Sequence, residues 1–366
     1  MGWMVYMSLE VVVAVACCLG NVLVVWAVRS RRSLRQPTFC FVVSLAAADF
    51  LVGAVAVPLA VLVDGWVQTD FHVCLAVSCL VLVLTQASVL SLLAIAVDRY
   101  LRVRIPLRYK SVATQRRSWA AVALCWLVSC LLGFPPLFGW HNGSASANAM
   151  AIASARASAN ALYPSPTSSS TSSSNSSVIE CTFLAVVSLP YMVYFNYFGC
   201  ILLPLLVMTL LYALVFHNLR VRLQRESTSS ITTNSSSSVF HSYPEPGSKA
   251  FYRRERRLAS SLALVLVLFA VCWMPLHVMN CVLLFSGRPG AVSQGAFYAG
   301  ILLSHANSAV NPVVYALRIR KIREAYAEIL KRYFLCRHDR QRRRNSDVWQ
   351  AGLPGIHSSH ESASRL

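Results

Sequence analysis

The chain has 366 residues, 56% hydrophobic and 13% charged, with mean hydropathy +0.54. Soluble domains carry roughly a quarter of their residues as charges, so this deficit excludes an ordinary soluble fold. The formal charge of +19 would suit nucleic acid or anionic lipid, and the placement of the charges decides between them.

Runs of about 20 apolar residues span a bilayer, and seven occur: Met4–Val28, Thr38–Val63, Cys74–Val97, Trp119–Phe138, Met192–Phe216, Leu258–Phe285 and Ala296–Leu317. Only Arg156 and Arg288 lie outside the connections that alternate onto one side. The other basic residues crowd SRRSLR, DRYLRVRIPLRYK, the 220–257 connection and the tail. This asymmetry predicts an all-α, seven-span membrane bundle with its amino terminus outside and its carboxyl terminus in the cytoplasm. Basic charge so placed marks topology and contact with membrane lipid, not nucleic-acid binding. Met1–Leu9 lacks the basic start of a cleavable signal, so the first span is expected to act as its own insertion signal.

The first and second spans each carry one acidic residue, Glu10 and Asp49. Either would cost about 2.5–3.5 kcal/mol or more at the bilayer centre, so each must face a packed interior or a wet cavity. Glu10 is expected to meet His305, at similar depth in the seventh span. Asp49 is expected to meet Ser88, Asn307 and Asn311, the two asparagines sharing a helix face. A carboxylate among neutral oxygens suits a sodium ion; a hydrogen-bonded network that only fixes helix packing accounts equally for the same residues.

Cys74 opens the third span and Cys181 precedes the fifth, both on the oxidising outer side, where a bridge is expected. The third span offers a face of Val81, Leu82, Thr85 and Gln86 with no carboxylate, which argues against a cationic amine ligand. At its inner end stands VDRYLRV, where Arg99 needs an acceptor; Asp98 and Glu255 of the sixth span are at hand, and an ion pair that breaks and reforms makes a two-state element. Alone, D-R-Y also fits a solvated helix end. The outer connection Gly143–Ser177 is biased to Ala and Ser, and disorder is expected there. Asn142 and Asn175 open N-x-S sequons on that side.

The 221–257 inner connection is Ser- and Arg-rich, fitting either regulatory phosphorylation or a plain linker. In the sixth span, VLFAVCWMPLHVMNCVLLF, Pro275 removes a backbone donor and kinks the helix. Trp273, Leu276, His277 and Asn280 share one face that grows more polar outward, as a pocket would. Phe183, Leu184, Met192, Asn196, Ser304 and His305 complete an apolar hollow with neutral donors and acceptors, suited to a flat, uncharged heteroaromatic bearing hydroxyls. After Leu317, RIRKIREAYAEILKRYF has helical apolar spacing with basic flanks and predicts an amphipathic helix on the inner leaflet, over 318–335. Cys336 beyond it is either palmitoylated or a plain thiol, and 336–366 is expected to be a disordered tail.

GNVLVV, LAAAD, SLLAIAVDRY, Trp126, CWMP, Pro204 with Tyr212, and NPVVY together resemble the rhodopsin-like G-protein-coupled receptors. Within them LLAIAVDRYLRVRIPLRYK, YMVYFNYF, MPLHVMNC and ILLSHANSAVNPVVYA are similar to the adenosine receptors, and FYAGILLSHANS to the type-3 subtype. The resemblance implies an adenosine site in which Phe183 stacks on the adenine and Asn280 pairs with its edge. Ser304 and His305, with Glu10 behind, would hold the ribose, and Thr85 and His277 would reach its far side. Leu82, Met192, Leu276 and Ile301 would wall the site. Most subtypes carry a glutamate after the stacking phenylalanine; this chain has Leu184.

It further implies a switch of Trp273, Arg99, Asp98, Glu255, Tyr212 and Tyr315, allosteric sodium at Asp49, a G-protein partner of the inhibitory class that lowers cyclic AMP, possible engagement by arrestin and receptor kinases, and residence in the plasma membrane. No further cofactor is expected. A transporter would need an internal repeat or interrupted helix pair and an enzyme a nucleophile–base or metal constellation; neither stands out.

Overall fold

The computed structural model describes residues 2–31, 34, 36–63, 68–143, 178–229, 249–288 and 290–332. The expectations for Asn175, Cys336, the tail and nearly all of the Ala/Ser-rich insert fall outside these residues. Seven helical spans run Gly2–Ser30, Pro37–Val63, Phe71–Arg104, Gln115–Gly133, Tyr191–Ser229, Lys249–Ser286 and Gln294–Arg318. Outer and inner ends are named by the charge distribution.

The pattern of burial is that of a molecule in lipid. Val11, Val12, Val15 and Leu19 are exposed on the first span, while Glu10 and Asn21 are fully buried. Polar side chains face inward because hydrocarbon offers them no hydrogen bonds. Five spans are long and apolar enough to cross a membrane on their own composition. The fourth carries Arg116 and Arg117 at its start, and the seventh buries Ser304, His305, Asn307, Ser308 and Asn311, so packing in the bundle must offset what their composition lacks.

Local sequence sets the ends. The Asp70 carboxylate caps the third span by accepting from His72 N at 2.8 Å, and Ser293 caps the seventh by accepting from Ala296 N at 3.3 Å. The fourth span stops at Gly133 and gives way to a 3₁₀ turn at Pro135–Phe138, where a continuous span to Phe138 was expected; Pro135 and Pro136 supply no N–H to carry the helix on. Two spans depart from regular α-helix, over Val52–Ala56 and Tyr191–Leu202, which are π-helical. Val57 N accordingly reaches Val52 O, and Leu203 N reaches Phe198 O. Each widened segment precedes a proline, Pro58 or Pro204, whose ring would clash with the carbonyl four residues back.

The fifth helix continues to Ser229 and the sixth begins at Lys249, so both ends of the 221–257 connection are helical rather than loop. A further helix, 320–332, follows the seventh span. Its Ile322, Ala325 and Ile329, with Ile319 before it, pack into the inner core beside Val24, Val28 and Tyr315. Tyr326 is only partly buried and Leu330 is exposed, so the buried face is narrower than the expected stripe. Arg31 and Glu328 pair across to the first span.

At the outer end, β1 (Gln68–Asp70) pairs antiparallel with β2 (Val178–Glu180), with Gln68 opposite Glu180. One residue further, Cys74–Cys181 is bridged with Cα atoms 5.8 Å apart. Strand pair and disulfide together fix the loop that carries Phe183 to the third span.

Candidate ligand site and switch

Phe183 opens a single helical turn, Phe183–Val186, two residues past the bridged cysteine. It packs against a cluster that includes Leu82, Met192, Leu75 and Tyr191, so two expected wall residues share one surface with the expected stacking ring. The turn is held from the other side by Asn142. Its Nδ2 donates to the carbonyls of Leu184 at 3.0 Å and Ala185 at 3.3 Å, and its backbone N donates to Val186 O at 2.9 Å. The amide nitrogen expected to carry a glycan is thus engaged in clamping the loop.

The inward face of the sixth span is a stack of rings. Phe269 lies 6.0 Å from Trp273, Trp273 5.8 Å from His277, and His277 4.7 Å from Tyr197 of the fifth span, all nearly parallel. His277 is 1% exposed, yet neither ring nitrogen has a hydrogen-bond partner within the protein. Asn280 Oδ1, Trp273 Nε1 and Gln86 Oε1 are likewise buried and unpaired. A buried polar atom without a partner costs about 1–3 kcal/mol, and the five such atoms on the third and sixth spans mark where a polar guest or water would be received.

Gln86 Nε2 donates to Asn196 Oδ1 at 2.8 Å, tying third span to fifth. Asn196, read from sequence as lining the hollow, thus gives one of its acceptor positions to Gln86. Thr85 and Ser304 donate to their own helices, at Val81 O (2.9 Å) and Ile301 O (2.7 Å), which leaves their oxygens able to accept. Ile301 and Leu276 are partly buried. At Gly300 a Cβ would stand in ordinary contact with Leu276 Cα at 3.6 Å and displace only the terminal methyl of the flexible Met279 side chain.

Glu10 and His305 meet as expected. His305 Nδ1 donates to the fully buried Glu10 carboxylate at 2.9 Å, fixing the ring's orientation.

Deeper, Asp49 accepts from Asn311 Nδ2 at 2.7 Å, Ser308 Oγ at 2.9 Å and Ser88 Oγ at 3.4 Å. Ser308 went unread in the sequence, although it lies three residues before Asn311 on the same face. Asn307 does not bond Asp49; its Oδ1 is buried and unpaired. A buried carboxylate, two hydroxyls and a spare amide oxygen are the donor set a hard monovalent cation takes, so the residues fit sodium.

At the inner end the expected pairs are formed and extended. Arg99, 1% exposed, reaches Asp98 at 2.6 Å and Glu255 at 3.0 Å. Three further groups join it. Thr38 Oγ1 and Tyr109 Oη each donate to Asp98 at 2.6 Å, and Arg102 Nε stands 2.9 Å from Glu255. Arg102 lies three residues after Arg99, a spacing that could have flagged it; Thr38 and Tyr109 come from other elements. Tyr212 and Tyr315 are buried in the same core, and the Tyr315 hydroxyl has no partner.

The family described as "7 transmembrane receptor (rhodopsin family)" matches residues 20–315. Similar curated relatives are named Adenosine receptor A3, from Ovis aries and Bos taurus, each 42% identical over 331 residues covering 90% of this chain and 91% of theirs. One from Canis lupus familiaris is also 42% identical, covering 90% of this chain and 92% of its own. The chain belongs to the rhodopsin family of seven-transmembrane receptors, in its adenosine-receptor branch, and is a signalling receptor of the membrane rather than an enzyme.

Proposed function

We propose that this receptor binds extracellular adenosine and, when occupied, activates a G protein of the inhibitory class, lowering cyclic AMP. The observation that carries the reading is the set of orphaned polar atoms on His277, Asn280, Trp273 and Gln86. A nucleoside offers what Asn280 and His277 lack, an amine with ring nitrogens for the one and sugar hydroxyls for the other, while Ser304 and His305 would receive further sugar hydroxyls. The Phe183, Leu82 and Met192 surface suits the flat face of a purine, whose stacking on an aromatic ring is worth about 1–3 kcal/mol. The names of the relatives point the same way.

The ligand enters from the end bearing the disulfide, with the amino terminus outside. It favours the arrangement in which the sixth span swings about Pro275, shifting a pre-existing equilibrium. Glu255 then leaves Arg99 and Arg102, Tyr212 and Tyr315 repack, and a G protein engages the inner face; arrestin and receptor kinases meet the same face afterwards. Asp49, Ser88, Ser308 and Asn307 would hold sodium, whose charge stabilises the resting bundle and so opposes agonist reciprocally. Leu184, where a carboxylate would otherwise meet an exocyclic amine, favours a second reading: another uncharged heteroaromatic as the preferred ligand.

Saturation binding of a radiolabelled adenosine agonist to membranes, with and without a guanine nucleotide, tests the proposal. High-affinity sites lost on adding the nucleotide are expected. Absence of saturable binding would refute it, accumulation in vesicles would indicate a transporter, and conversion an enzyme.

A further inference from the structure

Asn196 and Tyr197 are consecutive on the fifth span, yet both are buried, at 3% and 8% exposure. They lie in the π-helical segment Tyr191–Leu202. Its hydrogen bonds run to the fifth residue back rather than the fourth, so successive side chains diverge by a smaller angle than on an α-helix. Two in a row can therefore face the bundle, and these two turn to different partners. Asn196 Oδ1 accepts from Gln86 of the third span at 2.8 Å. The Tyr197 ring lies on His277 of the sixth, with centroids 4.7 Å apart and planes 16° from parallel. The Tyr197 hydroxyl donates to Met274 Sδ at 3.5 Å, which holds the ring against the sixth span one turn from His277.

His277 needs that support. Both of its ring nitrogens are buried without a hydrogen-bond partner among the described residues, so no hydrogen bond orients the imidazole. His305 differs, its ring being fixed by the Glu10 carboxylate at 2.9 Å. Two nearly parallel rings bound His277 instead, Tyr197 at 4.7 Å and Trp273 at 5.8 Å. Trp273 belongs to the same helix and travels with it; Tyr197 comes from another span and is the outside support. Stacking favours a fixed plane and leaves the edge of the neutral imidazole, one donor and one acceptor, open to a hydroxyl that can also do both. Asn280 stands one turn outward on the same face, so a nucleoside whose base meets Asn280 brings its sugar to that edge. We propose that Tyr197 is a positioning residue for ligand recognition, acting through His277: it holds the imidazole so that one sugar hydroxyl is told from hydrogen. The inference rests on the nucleoside reading above and adds to it the residue that sets this selectivity.

The test uses membranes carrying the full chain, with adenosine and its 2′-, 3′- and 5′-deoxy analogues displacing a radiolabelled adenosine agonist. Wild type should favour adenosine over one of the three analogues by about tenfold through His277, the effect of one hydrogen bond to a buried, otherwise unpaired group. His277→Ala identifies that analogue by abolishing the preference. Tyr197→Leu removes the ring and keeps an apolar side chain. It should weaken adenosine about tenfold while changing the matching deoxy analogue less than about twofold, which erases the same preference. Tyr197→Phe keeps the ring and should retain the preference. Adding Tyr197→Leu to His277→Ala should leave the preference as His277→Ala sets it. Tyr197→Met carries the expectation of Tyr197→Leu if that variant fails to reach the surface. Equal weakening of adenosine and all three analogues in Tyr197→Leu would make the ring merely structural and overturn the proposal, as would a preference lost in Tyr197→Phe. Normal adenosine binding with every preference intact in Tyr197→Leu would overturn the positioning role alone. Wild type that binds no adenosine would overturn the nucleoside reading, and this inference with it.

Discussion

Glu255→Gln is the most direct probe of the resting state, because among the described residues Glu255 is the acid that joins the inner ends of the third and sixth spans. It is buried and holds two cations, Arg99 at 3.0 Å and Arg102 at 2.9 Å. The substitution preserves shape and one acceptor oxygen while removing the charge. Arg99 keeps Asp98 at 2.6 Å, so the loss is smaller than the 3–5 kcal/mol typical of a buried charge stripped of its partner. Weakening of charge-assisted hydrogen bonds by about 1.5–3 kcal/mol shifts the resting–active equilibrium by roughly 10- to 100-fold. An active state populated at about 1% without agonist, within the usual range for minor states, would rise to about 10–50%. Agonist-independent guanine-nucleotide exchange on membranes reads this directly. Arg102→Gln should give a smaller rise, since Arg99 still bridges the helices, and adding it to Glu255→Gln should add little. Basal exchange unchanged in Glu255→Gln, at equal surface expression, would refute the reasoning.

Four further outcomes are expected. Asn280→Ala removes a buried acceptor that has no partner in the protein, so nucleoside binding should be lost with surface expression intact; retained radioligand binding would remove it from the site. Asp49→Asn takes away the charge that Ser88, Ser308 and Asn311 surround, and sodium should no longer lower agonist affinity; persistent sodium sensitivity would move the ion elsewhere. Asn142→Ala frees the carbonyls of Leu184 and Ala185 and should weaken agonist about tenfold, mainly through faster dissociation; unchanged agonist dissociation would remove the clamp. Tyr109, outside the spans, has its phenol pushed up to about 12 by burial and then by the Asp98 carboxylate. The folded state therefore favours the neutral, donating form, whose contribution is whole below pH 10 and fades only as pH climbs through 12. The difference in thermal midpoint between wild type and Tyr109→Phe should stay flat from about pH 6 to 9; a steady decline over that window would contradict the assigned hydrogen bond.

Composition and spacing marked seven apolar runs, five of them apolar enough to cross a membrane on their own, because hydrocarbon favours long runs whose backbone is satisfied within the helix. The same constraint marked Glu10, Asp49 and His305, since an ionisable group in lipid must have a reason to be there, and their neighbours in depth proved to include true partners. Periodicity also found the inward face of the sixth span. What it could not supply was direction in three dimensions. Asn196 has the right character for a ligand contact, but only packing shows that Gln86 donates to its oxygen. Asn142 reads as a glycan acceptor, and only the fold shows that its amide also lies within reach of three carbonyls of the loop bearing Phe183. The widened turns before Pro58 and Pro204, the second arginine on Glu255 and the ring of Tyr197 on His277 each depend on how separate helices abut. Sequence constrains what a segment must bury; the tertiary structure decides which partner meets it, because hydrogen bonds and ion pairs are short and directional whereas hydrophobic burial is not.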